Sequence, residues 1–293
     1  MLLLNSLAAF RHLFRSHFTS TRIHHLVENK SMVGHLKYLL LFFATLLCVH
    51  SCKVDGKGKD QIVKVEPEFT IDLFEKLAGG KTLTFTIKSI DLQDCLNYGI
   101  DASSGHSTSF IRLVINDIVE PENCDPGPAF ASTEVDVTPL PNGNYDFQVV
   151  LKDAIFSEGK LDVSPEKYQV DMSTTNGFYY VHKELMRIQD QQIWGYVGYE
   201  DKDQGKPYAD QFLADLASIC SDAELQNGYY GYFNVDGHEL GLIPAPAFTN
   251  FQEFAFQLDV DTETLKDLLN QYRNSAAGDY LTISINTWKG ESL

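Results

Sequence analysis

Residues Lys81–Ile90 read KTLTFTIKSI, an alternation of apolar side chains with threonine, lysine and serine. Leu83, Phe85 and Ile87 occupy every second position. Successive side chains of a β-strand point to opposite faces, so this pattern predicts a strand with one buried face. The chain is therefore expected to be built mainly from β-sheet.

Partner strands are predicted further along the chain, separated by turns of glycine, proline and asparagine. They are Ser109–Ile118, Thr133–Thr138, Tyr145–Lys152, Ile155–Val163 and Lys167–Met172. Short strands at this spacing favour an antiparallel β-sandwich, which we assign to residues 65–178. The serine- and glycine-rich segment Ser103–Ser107 is expected to be a loop.

One turn of this first domain carries a family resemblance. Residues 140–147 read LPNGNYDF, and the proline, the glycine and the strand that begins with Tyr145 resemble a hairpin start in immunoglobulin-like and transthyretin-like sandwich modules. The resemblance implies that Tyr145 packs at a sheet corner and hydrogen-bonds back to the chain. It covers this hairpin start alone and implies no functional residue.

Residues 186–293 change character and alternate strands with helices. The predicted order is a strand at Ile188–Tyr199, a helix at Pro207–Cys220, a hairpin from Gly228 to Ile243, a strand at Glu253–Val260, a helix capped by Asp261, and a strand at Tyr280–Trp288. Helical spacing and the turn Asp236-Gly237 support these assignments. The order resembles a ferredoxin-like βαββαβ domain with an extra hairpin strand, a layout that hosts many functions.

The N-terminal region predicts where in the cell the protein is located. Tyr38–Val49 is a run of 12 residues without charge, too short to span a bilayer and typical of a signal peptide. Val49-His50-Ser51-Cys52 follows and resembles the lipobox of bacterial lipoproteins, although His50 replaces the usual small residue. The resemblance implies cleavage before Cys52, lipid on its thiol and a cell-envelope location. Cys48 fits less well, because Leu47 before it is too large.

Three alternatives for this region stay open. Met32 would begin a leader of ordinary length, so residues 1–31 need not be translated. The second alternative is a plain secretory signal without lipid attachment, and the third is an arginine-rich transit peptide. In the preferred interpretation residues 1–51 are the leader, and residues 52–64, polar and rich in glycine and lysine, are a flexible tether.

The cysteines fit an exported protein. Cys95 and Cys124 lie in polar, loop-like contexts of the first domain, and we predict a disulfide between them, with two free thiols as the alternative. Cys220 lies on the apolar face of a predicted helix and is expected to be a buried thiol.

Charge and motifs exclude several function classes. The net charge is −17 overall and +4 in residues 1–52, so the remaining chain carries −21 and repels nucleic acid. Neither phosphate-binding glycine motif, GxxxxGK[ST] or GxGxxG, occurs, and no cofactor is expected. Asp201 and Asp203 resemble the start of a calcium loop, but the distal ligands are missing, so a solvated turn is preferred.

An aromatic cluster is the remaining candidate site. Trp194, Tyr196, Tyr199, Tyr230 and Tyr232 lie on two predicted strands that the ferredoxin-like order places in one sheet, together with Tyr229. Alternate positions point to opposite faces, so some of these rings are candidates for exposed glycan or peptide contacts, against ordinary core packing.

These observations favour a non-enzymatic, lipid-anchored envelope protein that binds a protein or glycan partner or serves in a surface assembly. A secreted hydrolase of carbohydrate or peptide with an unrecognised site, and a structural spacer, are the alternatives.

Overall fold

A computed structural model of the chain describes residues 65–237 and 239–293. Cys52, the leader and the tether lie outside the described residues, and so does His238. Within the described ranges the chain forms seventeen strands and two α-helices, so the protein is mainly β, as predicted. In chain order these elements are β1 (Phe69–Lys76), β2 (Thr82–Cys95), β3 (Gly99–His106), β4 (Phe110–Val119), β5 (Pro126–Asp136), β6 (Gly143–Leu151), β7 (Ile155–Val163), β8 (Lys167–Met172), β9 (Phe178–Tyr180), β10 (Glu184–Met186), β11 (Gln192–Tyr199), α1 (Lys202–Ala217), β12 (Cys220–Asp222), β13 (Gly228–Tyr229), β14 (Phe233–Asp236), β15 (Glu239–Leu242), β16 (Asn250–Leu258), α2 (Thr262–Arg273) and β17 (Thr282–Thr287).

Two sheets form the N-terminal sandwich. The first has the strand order β5-β2-β1-β9 and the second the order β10-β8-β7-β6-β4-β3. Their inward faces share one apolar core, in which Phe85 of β2 stacks on Phe147 of β6 at 5.3 Å between ring centroids. Most pairs are antiparallel, but β1–β9 and β4–β6 run parallel.

Two local predictions for the sandwich have different outcomes. The Tyr145 hydroxyl donates to the carbonyl of Pro141 at 2.7 Å, the bond back to the chain that the resemblance implied. The loop predicted at Ser103–Ser107 is wrong, because β3 continues to His106 and pairs with β4. Ser103 and Gly105 lie on the exposed side of this edge strand, where polar residues are tolerated.

The larger sheet of the C-terminal region is antiparallel and has the order β12-β16-β11-β17, with α1 and α2 against one face. The order of its long elements agrees with the predicted one, and β12 is an addition. The predicted hairpin from Gly228 to Ile243 is wrong in one respect: its first arm is two strands, because Gly231 adopts a positive φ of 82° and separates β13 from β14. With β15 these strands form a separate three-stranded sheet, so the tyrosines of 229–232 do not share a sheet with Trp194.

The first helix begins earlier than predicted. It starts at Lys202, where the Asp201 side chain accepts hydrogen bonds from the backbone N–H groups of Asp203 and Gln204. An N-cap of this kind satisfies N–H groups that lack partners in the first turn. Pro207 therefore lies inside the helix and not at its start. α2 begins after Asp261, as predicted.

A third apolar cluster joins the two regions. Leu77 after β1 and Met186 of β10 pack with Trp194 of β11 and with Phe233 and Val235 of β14. Residues 65–237 and 239–293 therefore belong to one compact unit. No helix of the described residues is long and apolar enough to cross a membrane.

Candidate functional site

A cleft of about 640 Å³ opens beside this junction. Glu166, in the turn between β7 and β8, contributes the sandwich side. The segment from Ser221 to Gln226 contributes the opposite side, and Met186, Gln192 and Tyr230 lie at the floor. The volume falls within the range of small-molecule pockets, about 300–1,000 Å³.

A tight turn positions the floor of the cleft. Gln191 has a positive φ of 64°, and the backbone N–H of Gln192 donates to the carbonyl of Gln189 at 3.3 Å. The side chain of Gln192 closes the same turn, because its Oε1 accepts from the N–H of Gln189 at 2.9 Å. This bond fixes which end of the amide is oxygen.

The other end of that amide has no partner. The Nε2 atom of Gln192 is closed to water and makes no hydrogen bond with the described residues, and the residue is 1% exposed. Leaving a buried donor unpaired costs about 1–3 kcal/mol, and such groups are rare in native proteins. Gln192 therefore belongs to the lining of the cleft, but its unpaired donor has no surface open to solvent.

Arg187, which lines the same cleft, is held by a buried ion pair. Its Nε donates to Glu75 Oε1 at 3.1 Å, and Glu75 is fully buried in the sandwich. The Tyr168 hydroxyl donates to the same oxygen at 3.0 Å, and the backbone N–H of Ile188 donates to Oε2 at 3.2 Å. The pKa of Tyr168 is raised by burial and by the negative charge of Glu75. Both carboxylate oxygens of Glu75 thus have partners.

The lining of the cleft carries a negative charge. Glu166, Asp222 and Glu224 are exposed carboxylates along it, whereas the charge of Arg187 is offset by Glu75. Anions are disfavoured in such a field, and donors such as hydroxyl groups are favoured.

Amide groups make up much of the remaining polar lining. Gln189 donates through Nε2 to the carbonyl of Pro165 at 3.2 Å, and Gln257 donates to the carbonyl of Asp190 at 2.8 Å. These bonds fix the positions of the two side chains. The side-chain oxygens of Gln189 and Gln257 can still accept hydrogen bonds. The Tyr230 hydroxyl accepts from the N–H of Gln226 and donates to its carbonyl, each at 3.0 Å.

The predicted aromatic site is not an exposed strip. Trp194, Tyr199 and Tyr230 are buried, at 1%, 6% and 3% exposure. Tyr196 and Tyr232 are partly buried, and the Tyr232 hydroxyl donates to the backbone carbonyl of Glu75. The ring of Trp194 packs against Tyr232 and Phe233 in tilted arrangements, at 5.2 and 5.7 Å between ring centroids, where two sheets meet. Tyr230 alone of the five lines the cleft.

Asp201 and Asp203, the weak calcium candidates, lie at the N-terminus of α1. Hydrogen bonds from Gln204 and Asp203 lower the pKa of Asp201, which is the expected effect of an N-cap. Asp203 lies in the first turn of α1, where a negative charge is favourable. No cluster of three or more metal-ligating side chains occurs among residues 65–237 and 239–293.

The cysteine prediction is confirmed for one pair. Cys95 and Cys124 form a disulfide with their Cα atoms 5.4 Å apart. Cys220 is a free thiol, as expected, but it lies on β12 and not on the helix, and it is only partly buried. Burial raises its pKa to about 12, and Asp259 adds to the shift.

A second polar cluster lies where β13 meets the sandwich. Nδ1 of His182 lies 3.0 Å from Asp72 Oδ1, and the Tyr229 hydroxyl donates to Oδ2 at 3.3 Å. The rings of His182 and Tyr229 stack at 3.7 Å. Each group has a protein partner, so this cluster attaches β13 to β1.

The residues that line the cleft were not predicted from the sequence. Glutamines at 189, 192 and 226 belong to no motif, and they come together only through the turn at Gln191 and the loop after β12. The single available signal was the density of glutamine around the start of β11, in the run Gln189-Asp190-Gln191-Gln192.

No protein-family model, curated protein or solved structure matches this chain.

Proposed function

We propose that this protein is a non-enzymatic, lipid-anchored protein of the bacterial cell envelope that binds a ligand in the cleft around Gln192. The observation that carries the binding function is the preformed cleft of about 640 Å³, whose lining combines polar and charged side chains with apolar ones. Sites for small ligands commonly combine a preformed cavity with a few fixed polar groups. The lipobox-like Val49-His50-Ser51-Cys52 supports the anchor.

Filling the cleft tests the binding function. Ala223 lines the cleft, so Ala223→Trp places a large side chain there, whereas Ala214→Trp adds the same ring on the exposed side of α1. The full chain, purified in detergent, is heated with a panel of sugars, short peptides and polyamines. We expect at least one compound to raise the melting temperature of the parent and of Ala214→Trp but not of Ala223→Trp. No stabilising compound, or stabilisation that survives Ala223→Trp, would contradict the proposal.

Replacing Cys52 tests the anchor. We expect the parent chain in the membrane fraction and Cys52→Ser in the soluble fraction, because the sulfur of Cys52 is the atom to which the lipid is attached. Cys220→Ser serves as the control and should stay with the membrane. Membrane association of Cys52→Ser would place the anchor elsewhere.

A hydrolase of carbohydrate is the second candidate, and the three carboxylates of the cleft favour it. Glycosidases use two carboxylates, one of them held as an acid in an apolar setting. Glu166, Asp222 and Glu224 are instead exposed, which favours recognition over catalysis. Release of reducing ends from neutral trisaccharides, lost in Asp222→Asn or Glu224→Gln, would establish the hydrolase.

A further inference from the structure

We infer that the disulfide-closed end of the N-terminal sandwich is a membrane-contact site, and that the surface it meets is a zwitterionic lipid bilayer. This inference rests on the lipid anchor of the proposed function and adds a second contact, made by the folded protein itself. It is carried by an exposed apolar face and by the place where the chain enters the fold.

The strand β2 extends past the start of its neighbour β1. The N–H of Ile90 donates to the carbonyl of Glu68, the residue before β1, at 2.9 Å. Beyond Ile90, β2 continues to Cys95 and is paired with the first half of β5. Five residues of a strand span about 16 Å, so residues 91–96 and 126–130 project as a two-stranded arm.

Large apolar side chains are exposed on this arm. Leu92 lies opposite Phe130 in the β2–β5 register, so both point to the same face, and they are 57% and 51% exposed. Leu96 is 58% exposed and lies against Gly127, where an added Cβ would be 3.0 Å from Leu96 Cδ2. Contiguous exposed apolar side chains are typical of surfaces that meet a partner or a membrane.

Covalent and hydrogen bonds hold the arm in place. The disulfide between Cys95 and Cys124 joins the end of β2 to the segment that leads into β5. The N–H of Leu96 donates to the carbonyl of Asp125 at 2.8 Å, and the N–H of Asp125 donates to Asn97 Oδ1 at 3.1 Å. Because the backbone is fixed before contact, little conformational entropy is lost when the arm meets a surface.

The entry of the chain brings the arm close to the anchor. Residues 53–64 separate Cys52 from Val65, the first residue that the structure describes. Even a fully extended chain of that length spans at most about 40 Å. Val65 leads to Glu68 at the end of the sheet from which the arm projects. A short connection raises the effective concentration of the arm at the lipid surface, so a contact too weak to hold the protein alone is populated once the lipid is attached.

Charge selects the kind of lipid. Residues 91–98 and 120–130 contain no lysine or arginine. They do contain five exposed carboxylates, at Asp91, Asp94, Glu120, Glu122 and Asp125. Carboxylates are repelled by anionic headgroups, whereas zwitterionic headgroups carry no net charge. The arm therefore fits a surface of phosphatidylcholine or phosphatidylethanolamine better than one rich in phosphatidylglycerol.

A quencher carried by the lipid tests the contact in the full, lipidated chain. Phe130→Cys is labelled with a fluorophore, with Cys220→Ser to remove the free thiol, and the protein is reconstituted into phosphatidylcholine vesicles that contain nitroxide lipid. Phe156→Cys, labelled in the same way, is the matched control, because Phe156 is 55% exposed on the other sheet of the sandwich. We expect the nitroxide to quench the probe at position 130 and to leave the probe at position 156 bright. Equal quenching at the two positions would overturn the inference.

Changes to the arm and to the lipid extend this test. Leu92→Ser with Leu96→Ser removes apolar surface at exposed positions, so it should leave the melting temperature unchanged while the quenching at position 130 is lost. Replacing half of the phosphatidylcholine by phosphatidylglycerol should weaken the quenching.

The contrary outcomes are distinct. Quenching that persists in the double variant or grows with phosphatidylglycerol would overturn the inference, and so would an unquenched probe in a chain that dimerises through the arm. If the parent chain does not float with the vesicles, the lipid anchor is wrong and the arm contact falls with it. If the parent floats and the probe at position 130 stays bright, the anchor stands and only the arm contact is wrong.

Discussion

Glu75 in the sandwich and Gln192 at the floor of the cleft are both buried polar side chains, but their hydrogen-bonding capacity is met differently. Glu75 has a partner on each oxygen: Arg187, Tyr168 and the N–H of Ile188. Gln192 pairs its oxygen and leaves its nitrogen unpaired. A fully paired buried group stabilises the fold, whereas a half-paired one lowers its stability. The difference separates the structural role of the sandwich network from the proposed binding role of the cleft.

Removing Glu75 gives the largest expected effect. Glu75→Met should lower the free energy of unfolding by about 3–5 kcal/mol, because the mostly buried guanidinium of Arg187 loses its counter-charge. Guanidinium chloride unfolding followed by tryptophan fluorescence measures the change. Glu134→Met, at an exposed carboxylate paired with Lys76, is the control and should cost about 1 kcal/mol or less. Equal costs for the two variants would show that burial of the pair does not matter.

The disulfide of the sandwich should have the next largest effect. Cys95 and Cys124 are 29 residues apart, and the double variant Cys95→Ser with Cys124→Ser should lose about 3–4 kcal/mol through the greater freedom of the unfolded chain. Urea unfolding of this variant and of Cys220→Ser as the control gives the comparison. A loss below about 1 kcal/mol would mean that the loop is restrained without the bond.

Several elements could be predicted from the sequence and others could not. β2 and α2 follow from their regular spacing of apolar residues, whereas β1 does not, because Phe74 on the outward side and Glu75 on the inward side reverse the apolar–polar alternation at its end. The sequence predicts that α1 begins at Pro207, because proline suits the first turn of a helix, but the helix begins five residues earlier, at Lys202. Gly205 is present because an added Cβ would lie 2.6 Å from Cβ of Tyr199, where α1 approaches β11.

The candidate site was still less predictable. Whether the side-chain amide of Gln192 has a partner depends on the turn at Gln191 and on which atoms from distant parts of the chain come within hydrogen-bond distance of it. The aromatic residues were conspicuous in the sequence, but size and apolarity also suit them to the contact between sheets, where Trp194 packs on Phe233. The acidic character of the cleft agrees with the net negative charge of the sequence, because Glu166, Asp222 and Glu224 line it.

A milder test removes one bond from the Glu75 network. Tyr168→Phe deletes the hydroxyl that donates to Glu75 and should cost about 1–2 kcal/mol in unfolding free energy, because the acceptor is charged. Tyr180→Phe is the matched control, since its hydroxyl meets only the sulfur of Met172 at 3.5 Å. The control should cost less than Tyr168→Phe. A larger loss of stability in Tyr180→Phe than in Tyr168→Phe would mean that the hydrogen bond from Tyr168 to Glu75 does not stabilise the fold.

The free thiol of the C-terminal region gives a pH test. Burial raises the pKa of Cys220 to about 12, so the folded protein keeps the thiol protonated at pH 9–11 where the unfolded chain loses its proton. Any stability this thiol contributes is therefore present below about pH 8.5 and is lost as the pH rises from there toward 12. Alkylation by iodoacetamide at pH 8 should be at least about tenfold slower in the folded chain than in urea. Equal rates would show that Cys220 is open to solvent.

The most direct test of the contrast between Glu75 and Gln192 replaces each with methionine and measures the free energy of unfolding side by side, without ligand. Gln192→Met loses the bond from Gln189 but also removes an unpaired donor, so its stability should stay within about 1 kcal/mol of the parent, while Glu75→Met loses about 3–5 kcal/mol. A loss of about 3 kcal/mol or more in Gln192→Met would mean that its amide stabilises the fold as strongly as the carboxylate of Glu75 does.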